Sequence, residues 1–235
     1  MANTFFKFKQ FTVWQESAAM KVSTEACILG VWTDGTGAKT ILDIGAGTGL
    51  LTLMLAQRYP EAQFDAVELD EAAARQATLN ASESPFADRI RVIHQAIQEF
   101  SNPQLYDLII SNPPFYQNSL RSPKVARNHA LHATALTFDA LLGSVRKLLA
   151  PTGTFVVLLP PYEMNQLVSK AEGYGLLLQR QLHVSQRPDG RPFRQISVLG
   201  YEAKSVEAEA LIIYDANGFY STEFVRLLDE YYLNF

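Results

Sequence analysis

The sequence predicts an α/β protein built on a doubly wound, mostly parallel sheet with an antiparallel hairpin at its edge. Three observations lead there. Short apolar or β-branched runs alternate with longer helical patterns between Thr40 and Glu172, and such alternation puts helices on both faces of a parallel sheet. A glycine-rich turn joins the first of those runs to the first helix. After Gly175 the helical patterns give way to closely spaced strand patterns, which suit an antiparallel addition.

Thr40–Ile44 reads as the first strand of the sheet and Leu50–Arg58 as the helix after it. Phe64–Glu68 is the second strand, followed by a helix over Ala72–Ser82. Arg91–Ile93 and Tyr106–Ile110 are the third and fourth strands. A helix over Phe138–Leu149 is closed by Pro151 and Gly153, and Thr154–Leu159 is the fifth strand. Met164–Glu172 is helical, with Gly173 and Gly175 beyond its end. Leu177–Val184 and Gln195–Tyr201 form a hairpin around the loop Arg187–Arg194. Ala210–Ile213 is a further strand and Ser221–Tyr232 a final helix. Right-handed crossovers give the strand order 3-2-1-4-5 plus edge strands, with the first and fourth strands adjacent. With no repeats or linkers, residues 1–39 read as an amino-terminal extension and residues 40–235 as one domain.

Apolar residues make up 48% of the 235 residues and charged residues 19%, which excludes a disordered chain. The longest apolar runs, such as Thr154–Leu159, are far short of a membrane span. Met1–Phe11 has lysines but no continuous apolar stretch, so no secretory signal is expected. Cys27 is the only cysteine, which rules out an internal disulfide and a cysteine metal cluster and points to the cytoplasm. A monomer is expected. The net charge of −4 is not that of a protein that coats nucleic acid. Two segments are locally basic all the same. Between Tyr116 and Phe138 there is no acid, while Arg121, Lys124, Arg127, His129 and His132 are present. Between Arg180 and Arg194 four arginines face a single Asp189. Each segment is either a solvated loop or a contact for a polyanion. The two histidines lack a third ligand at a suitable spacing, so no metal site is expected.

The turn after the first strand reads Asp43-Ile44-Gly45-Ala46-Gly47-Thr48-Gly49. Glycines at 45, 47 and 49 let the backbone turn tightly and approach a ligand closely. Their spacing differs from that of dinucleotide folds, in which a helix amino terminus meets a pyrophosphate. A ligand without phosphate, carrying a sulfonium, an amine and a carboxylate, fits better. Asp43 can meet the amine directly or through water. Glu68 ends the second strand, 23 positions after Gly45, where a carboxylate can accept from two ribose hydroxyls. Together these features resemble the Rossmann-like methyltransferases that use S-adenosylmethionine, over roughly Ile41 to Leu159. Many of those carry an acid just after the third strand that bonds the adenine amine. Ala96 stands there in this chain, which leaves the contact to backbone groups of Ala96 and Ile97, or to Gln95.

The fourth strand runs into Asn112-Pro113-Pro114-Phe115. As a bare string this is a turn. Its place beside the glycine turn, at the carboxyl ends of adjacent strands, puts it where such sheets bind ligands. An aromatic amine is a poor nucleophile because its lone pair is delocalised. The Asn112 side-chain oxygen and the Pro113 carbonyl can accept its two N–H groups and free that pair, in a turn that two prolines hold rigid. Phe115 can stack on a base. The tetrapeptide resembles the signature of N-methyltransferases acting on adenine N6, guanine N2 or a glutamine amide.

The amino-terminal segment narrows the choice. Phe8-Lys9-Gln10-Phe11, then Met20-Lys21-Val22-Ser23-Thr24-Glu25, stand ahead of the first strand. With Leu42–Leu51, Ser111–Tyr116 and Tyr220-Ser221, they resemble the bacterial tRNA(Val) adenine N6-methyltransferases over nearly the whole chain. That resemblance implies a tRNA substrate, the adenine beside the anticodon as acceptor, S-adenosylmethionine as donor, and an amino-terminal segment lying over the donor with Thr24 among its contacts. Arg121, Lys124 and Arg127 would then meet RNA. Thr24 and Glu25 can also simply cap a helix starting near Ala26. Phe5, Phe6, Phe8 and Phe11 either stack on unpaired bases or pack on the core. The rivals are a protein glutamine methyltransferase, an rRNA guanine N2-methyltransferase and a catalytically silent binding module. The 39 residues ahead of Thr40 are too few for the first one's helical domain. The chain has room for one catalytic domain rather than the second one's two. An intact Asn112–Phe115 argues against the third.

Overall fold

The computed structural model of the protein describes residues 4–16, 21–114 and 136–235. An amino-terminal hairpin, β1 (Phe5–Lys7) and β2 (Thr12–Trp14), precedes α1 (Thr24–Trp32). Then follow β3 (Thr40–Ile44), α2 (Leu50–Arg58), β4 (Gln63–Glu68), α3 (Glu71–Ser82), β5 (Ile90–His94) and β6 (Tyr106–Ser111). Beyond residue 135 come α4 (Phe138–Leu148), β7 (Leu149–Leu159), α5 (Pro161–Ala171), β8 (Leu177–Ser185), β9 (Arg194–Gly200), β10 (Glu207–Ile212) and α6 (Thr222–Leu228). Among the described residues, eight strands form one sheet in the order β10-β8-β9-β7-β6-β3-β4-β5. The run β5-β4-β3-β6-β7 is parallel throughout and has the expected 3-2-1-4-5 order.

Strand alternation sorts the apolar residues into two cores. Ile41, Phe64, Leu108, Ile110, Val156 and Leu158 face one way, under α1, α2 and α6. Leu42, Ile44, Val67, Ile109, Phe155 and Val157 face the other, under α4 and α5. Helix starts are set by side-chain caps. Ser23 accepts from the Ala26 N–H, Asp70 from Ala73, Thr137 from Ala140 and Ser221 from Phe224. The cap of α1 is thus Ser23, one residue ahead of the pair expected, because the helix already begins at Thr24.

The carboxyl-terminal strands depart from a simple edge hairpin. β8 and β9 pair antiparallel, but β9 lies inward against β7, also antiparallel, and β10 takes the outer edge parallel to β8. β7 begins five residues before the expected strand, at Leu149. Pro151 and Gly153 fall in its irregular start, where the register against β6 shifts between Tyr106 and Leu108. A Cβ at Gly153 would stand 2.8 Å from the Tyr106 carbonyl oxygen, so glycine is needed for that approach.

The amino-terminal hairpin carries no alternating pattern long enough to read as strands. It is held by aromatic packing. Phe8 stacks on Phe11 at 4.6 Å between ring centroids and meets Tyr231 edge-on and Tyr232 tilted. Phe8 and Phe11 are buried and Phe6 half-buried, so the core reading of that stretch holds for these three, while Phe5 is exposed. The Trp14 N–H donates to the side-chain oxygen of Asn80 at 2.9 Å, and the Asn80 amide donates to the Trp14 and Thr48 carbonyls. Asn80 thereby ties the extension to the glycine turn. Phe8→Ala should lower the free energy of unfolding by about 3–5 kcal/mol, measured by urea denaturation. A loss near zero would show that the hairpin rests loosely on the domain.

Candidate active site

The glycine turn and the end of β6 meet because their strands are neighbours in register. Ile44 pairs with Ser111, and the Ser111 hydroxyl donates to the Ile44 carbonyl at 2.8 Å. Gly45 and Asn112 therefore leave adjacent strand tips. Between them opens a cavity of about 520 Å³. Gly45, Gly47, Asn112 and Pro114 line it, and so do Glu68, Ala96 and Ile97. Gly45, Gly47, Glu68, Ala96, Ile97 and Asn112 are thus brought together, whereas Gly49 is not among the lining residues and instead opens α2 against Ala77. Pro113 is buried behind the lining. Phe115, Arg121, Lys124, Arg127, His129 and His132 lie outside the described residues.

Gly45, Gly47 and Gly49 have φ of 73°, 57° and 82°, a region in which side chains are strained. A Cβ on Gly45 or Gly47 would meet nothing within 4 Å, so the turn exposes bare backbone to the cavity. Glu68 is fixed at both oxygens: Oε2 accepts from the Gly47 N–H and Oε1 from the Asp70 N–H, each at 2.8 Å. Both oxygens keep lone pairs for further donors. At Ala96 the carbonyl accepts from Glu99 and Phe100, at 3.0 and 3.1 Å.

Asp43 and Thr24 stand differently. Side-chain alternation turns Asp43 under α2 rather than into the cavity. Its Oδ2 accepts from the N–H and the hydroxyl of Thr52, at 3.2 and 2.7 Å. It is 1% exposed, and burial pushes its carboxyl up to about 7, helped by the charge of Glu68. Its Oδ1 is buried with no hydrogen-bond partner among the described residues. Asp43 thus braces the turn from behind. Thr24 is also not among the lining residues; the extension instead contributes Lys21, Val22 and Ala26. Lys21 and Val22 belong to the Met20–Glu25 stretch that the sequence expected over the donor, whereas Leu69, Asp70, Gln98 and Leu136 were not singled out. Leu69 and Asp70 follow directly on Glu68, and that adjacency is the signal that could have found them.

Comparison with known proteins decides the family. Residues 28–158 match the model of the methyltransferase small domain. A protein of Bacteroides thetaiotaomicron, named tRNA1(Val) (adenine(37)-N6)-methyltransferase, is 43% identical over 100% of this chain and 99% of its own length. A protein of the same name from Tolumonas auensis is 44% identical over 99% of this chain and 98% of its own. The chain belongs to the tRNA1(Val) (adenine(37)-N6)-methyltransferase family. In fold, this methyltransferase is similar to a predicted O-methyltransferase of Agrobacterium tumefaciens, with a TM-score of 0.63, 18% identity, and coverage of 87% of this chain and 95% of that one. It is also similar to a glycopeptide N-methyltransferase solved with S-adenosylmethionine, with a TM-score of 0.56, 15% identity, and coverage of 76% of this chain and 93% of that one.

The methyltransferase uses S-adenosylmethionine, and its residues fit that donor. The bare glycine turn leaves room where side chains would intrude, and Glu68 offers oxygens to a ribose. Among the described residues no helix is long and apolar enough to cross a membrane.

Two outcomes are expected. Glu68→Ala should weaken donor binding by about 1–3 kcal/mol through lost hydrogen bonds, measured by calorimetry; unchanged affinity would remove Glu68 from the site. Asp43 has a folded pKa raised to about 7, so the folded state binds more protons than the unfolded chain between about pH 4 and 7. Stability from this group therefore falls as pH rises through that window and levels off about one unit above the folded pKa. Asp43→Asn should gain stability relative to the parent between pH 5 and 8, read from denaturation midpoints. A constant difference would show that Asp43 does not titrate there.

Proposed function

We propose that this chain methylates N6 of an adenine in tRNA, the adenine beside the anticodon of tRNA(Val), and that it does so as a cytoplasmic monomer. The observation that carries the reading is the meeting of Asn112 and Pro114 with Gly45, Gly47 and Glu68 in one cavity. The names of its full-length relatives support the substrate.

S-adenosylmethionine, when bound, supplies an electrophilic methyl on a sulfonium. Glu68 would hold the ribose, with Gly45 and Gly47 lying against the donor. Asp43, bound to Thr52 behind the turn, would stiffen the glycine turn against the donor rather than touch it. The backbone N–H groups of Ala96 and Ile97 would serve the adenine ring, since Ala96 has no acidic side chain to do so. The extension, through Lys21, Val22 and Ala26, covers the donor from the side of α1.

The acceptor amine is held by this chain's own dipoles. Asn112 Oδ1 accepts one N–H and the Pro113 carbonyl the other, which draws the nitrogen toward tetrahedral geometry. The buried Pro113 keeps that carbonyl fixed, so little reorganisation opposes the reaction. Phe115 is the proposed platform for the base, and Arg121, Lys124 and Arg127 the proposed contacts to RNA. Once alkylated, the nitrogen loses its proton readily, and no histidine base is required.

Incorporation of tritiated methyl groups into tRNA, total protein and rRNA tests the substrate. Label in tRNA is expected, with N6-methyladenosine found by nucleoside mass spectrometry. Label in protein or rRNA alone would favour a rival acceptor, and none in any pool a silent module. Asn112→Ala should reduce turnover by at least about a hundredfold, as loss of one preorganised polar contact does elsewhere, while donor affinity stays within about twofold. A variant with near-normal turnover would end the amine-holding role.

A further inference from the structure

The carboxyl-terminal strands extend the active edge of the sheet well past the cavity. β7 is parallel to β6, β9 is antiparallel to β7, and β8 and β10 run parallel to β7 again. The segment after β7, the β8–β9 loop and the turn after β10 therefore all emerge on the same edge as Asn112. Their order along that edge is the order of the sheet. Four inter-strand steps separate β6 from β10, about 19 Å.

Two exposed rings and two exposed arginines stand on this edge. Tyr162, just after β7, is 70% exposed, and Phe219, in the turn after β10, is 73% exposed. Arg187 and Arg191, between them in the β8–β9 loop, are exposed, with Asp189 the loop's one acid. The two outer loops are joined: the Tyr214 N–H donates to the Gln186 carbonyl at 2.9 Å. The Phe219 turn is rigid. The Asp215 carboxylate accepts from the N–H groups of Asn217 and Phe219, at 2.8 and 3.0 Å, and Asp215 and Phe219 also bond through their backbones. Asp215 is thereby occupied. Arg194, at the base of the loop, meets Glu25 at 3.2 Å, which anchors the loop to α1 beside the cavity.

We infer that Tyr162, Arg187, Arg191 and Phe219 form a track for the unpaired RNA strand next to the target adenine. This rests on the proposed RNA substrate and goes beyond it by assigning residues outside the cavity. An unpaired strand offers both features that the track answers: phosphates for the two arginines, and splayed bases for the two exposed rings. A folded protein partner would call for a continuous apolar patch, whereas these rings stand apart with charge between them.

The test is methylation kinetics of the full chain with the tRNA(Val) transcript at several salt concentrations. The variants are Arg187→Ala with Arg191→Ala, and separately Phe219→Ala and Tyr162→Ala. All four residues are exposed or lie in loops, and donor affinity by calorimetry checks that each variant is folded. KM for tRNA should rise about tenfold in the double arginine variant, with kcat within about twofold, and the salt slope of log KM should fall by roughly one to two. Each ring variant should raise KM about five- to tenfold without changing the slope, as loss of a stacked base does. If wild type methylates tRNA and the variants match it in KM and slope, the track is refuted while the substrate stands. A loss confined to kcat would refute it too. If wild type methylates no tRNA, it is the substrate reading that fails.

Discussion

One register holds the site together. β3 and β6 run parallel with Ile44 opposite Ser111, and the Ser111 hydroxyl closes on the Ile44 carbonyl at 2.8 Å. Each strand then turns within one residue, β3 into Gly45 and β6 into Asn112. Because the pairing is buried, slipping it by one residue would swap every side chain between the two cores and expose Leu42 and Ile109 to the wrong face. The glycine turn and the Asn112 turn are thus placed by hydrophobic packing away from the cavity. The site inherits its precision from strands that cannot shift.

The same alternation settles what each acid does. Ile44 and Asp43 are neighbours in sequence but point to opposite faces, so Ile44 lines the cavity while Asp43 sits beneath α2 on Thr52. Glu68 ends its strand, and its carboxylate folds back onto the Gly47 and Asp70 N–H groups. One carboxylate is buried and pushed up toward neutral pH, while the other is wet and fixed by two donors. The turn gains stiffness from both without either occupying the space of a ligand.

Much of this was legible in the sequence where a pattern had one physical solution. The five parallel strands read out because apolar runs punctuated by helical periods admit only that sheet. Asn112 and the glycine turn could be placed in one pocket because right-handed crossovers make their strands adjacent. The rest depended on contacts distant in sequence. The amino-terminal hairpin is only three residues per strand and owes its form to Phe8 against Tyr231 and Tyr232, more than two hundred positions away. The inward place of β9 and the outer place of β10 follow from pairing choices that periodicity does not encode. Pro151 and Gly153 read as a break, yet they serve an irregular strand start against the Tyr106 carbonyl. Thr24 falls outside the lining as the first residue of α1, capped by Ser23.

Charge is segregated along the active edge, and this bears on why position 112 is an amide. At the β3 and β4 tips stand Asp43, Glu68 and Asp70; at the β8 and β9 tips stand Arg187 and Arg191 against Asp189, with Arg194 paired to Glu25. A cationic donor is favoured at the first end and a polyanion at the second. β6 lies between them, so Asn112 sits where the two fields oppose. A carboxylate there would accept an amine's N–H equally well, but it would repel incoming phosphates and add a further negative charge beside Glu68 and Asp70. An amide supplies the acceptor dipole without tilting that balance. The protein can therefore carry a net charge of −4 and still present a locally basic stretch, because charge along one sheet edge need not follow the total.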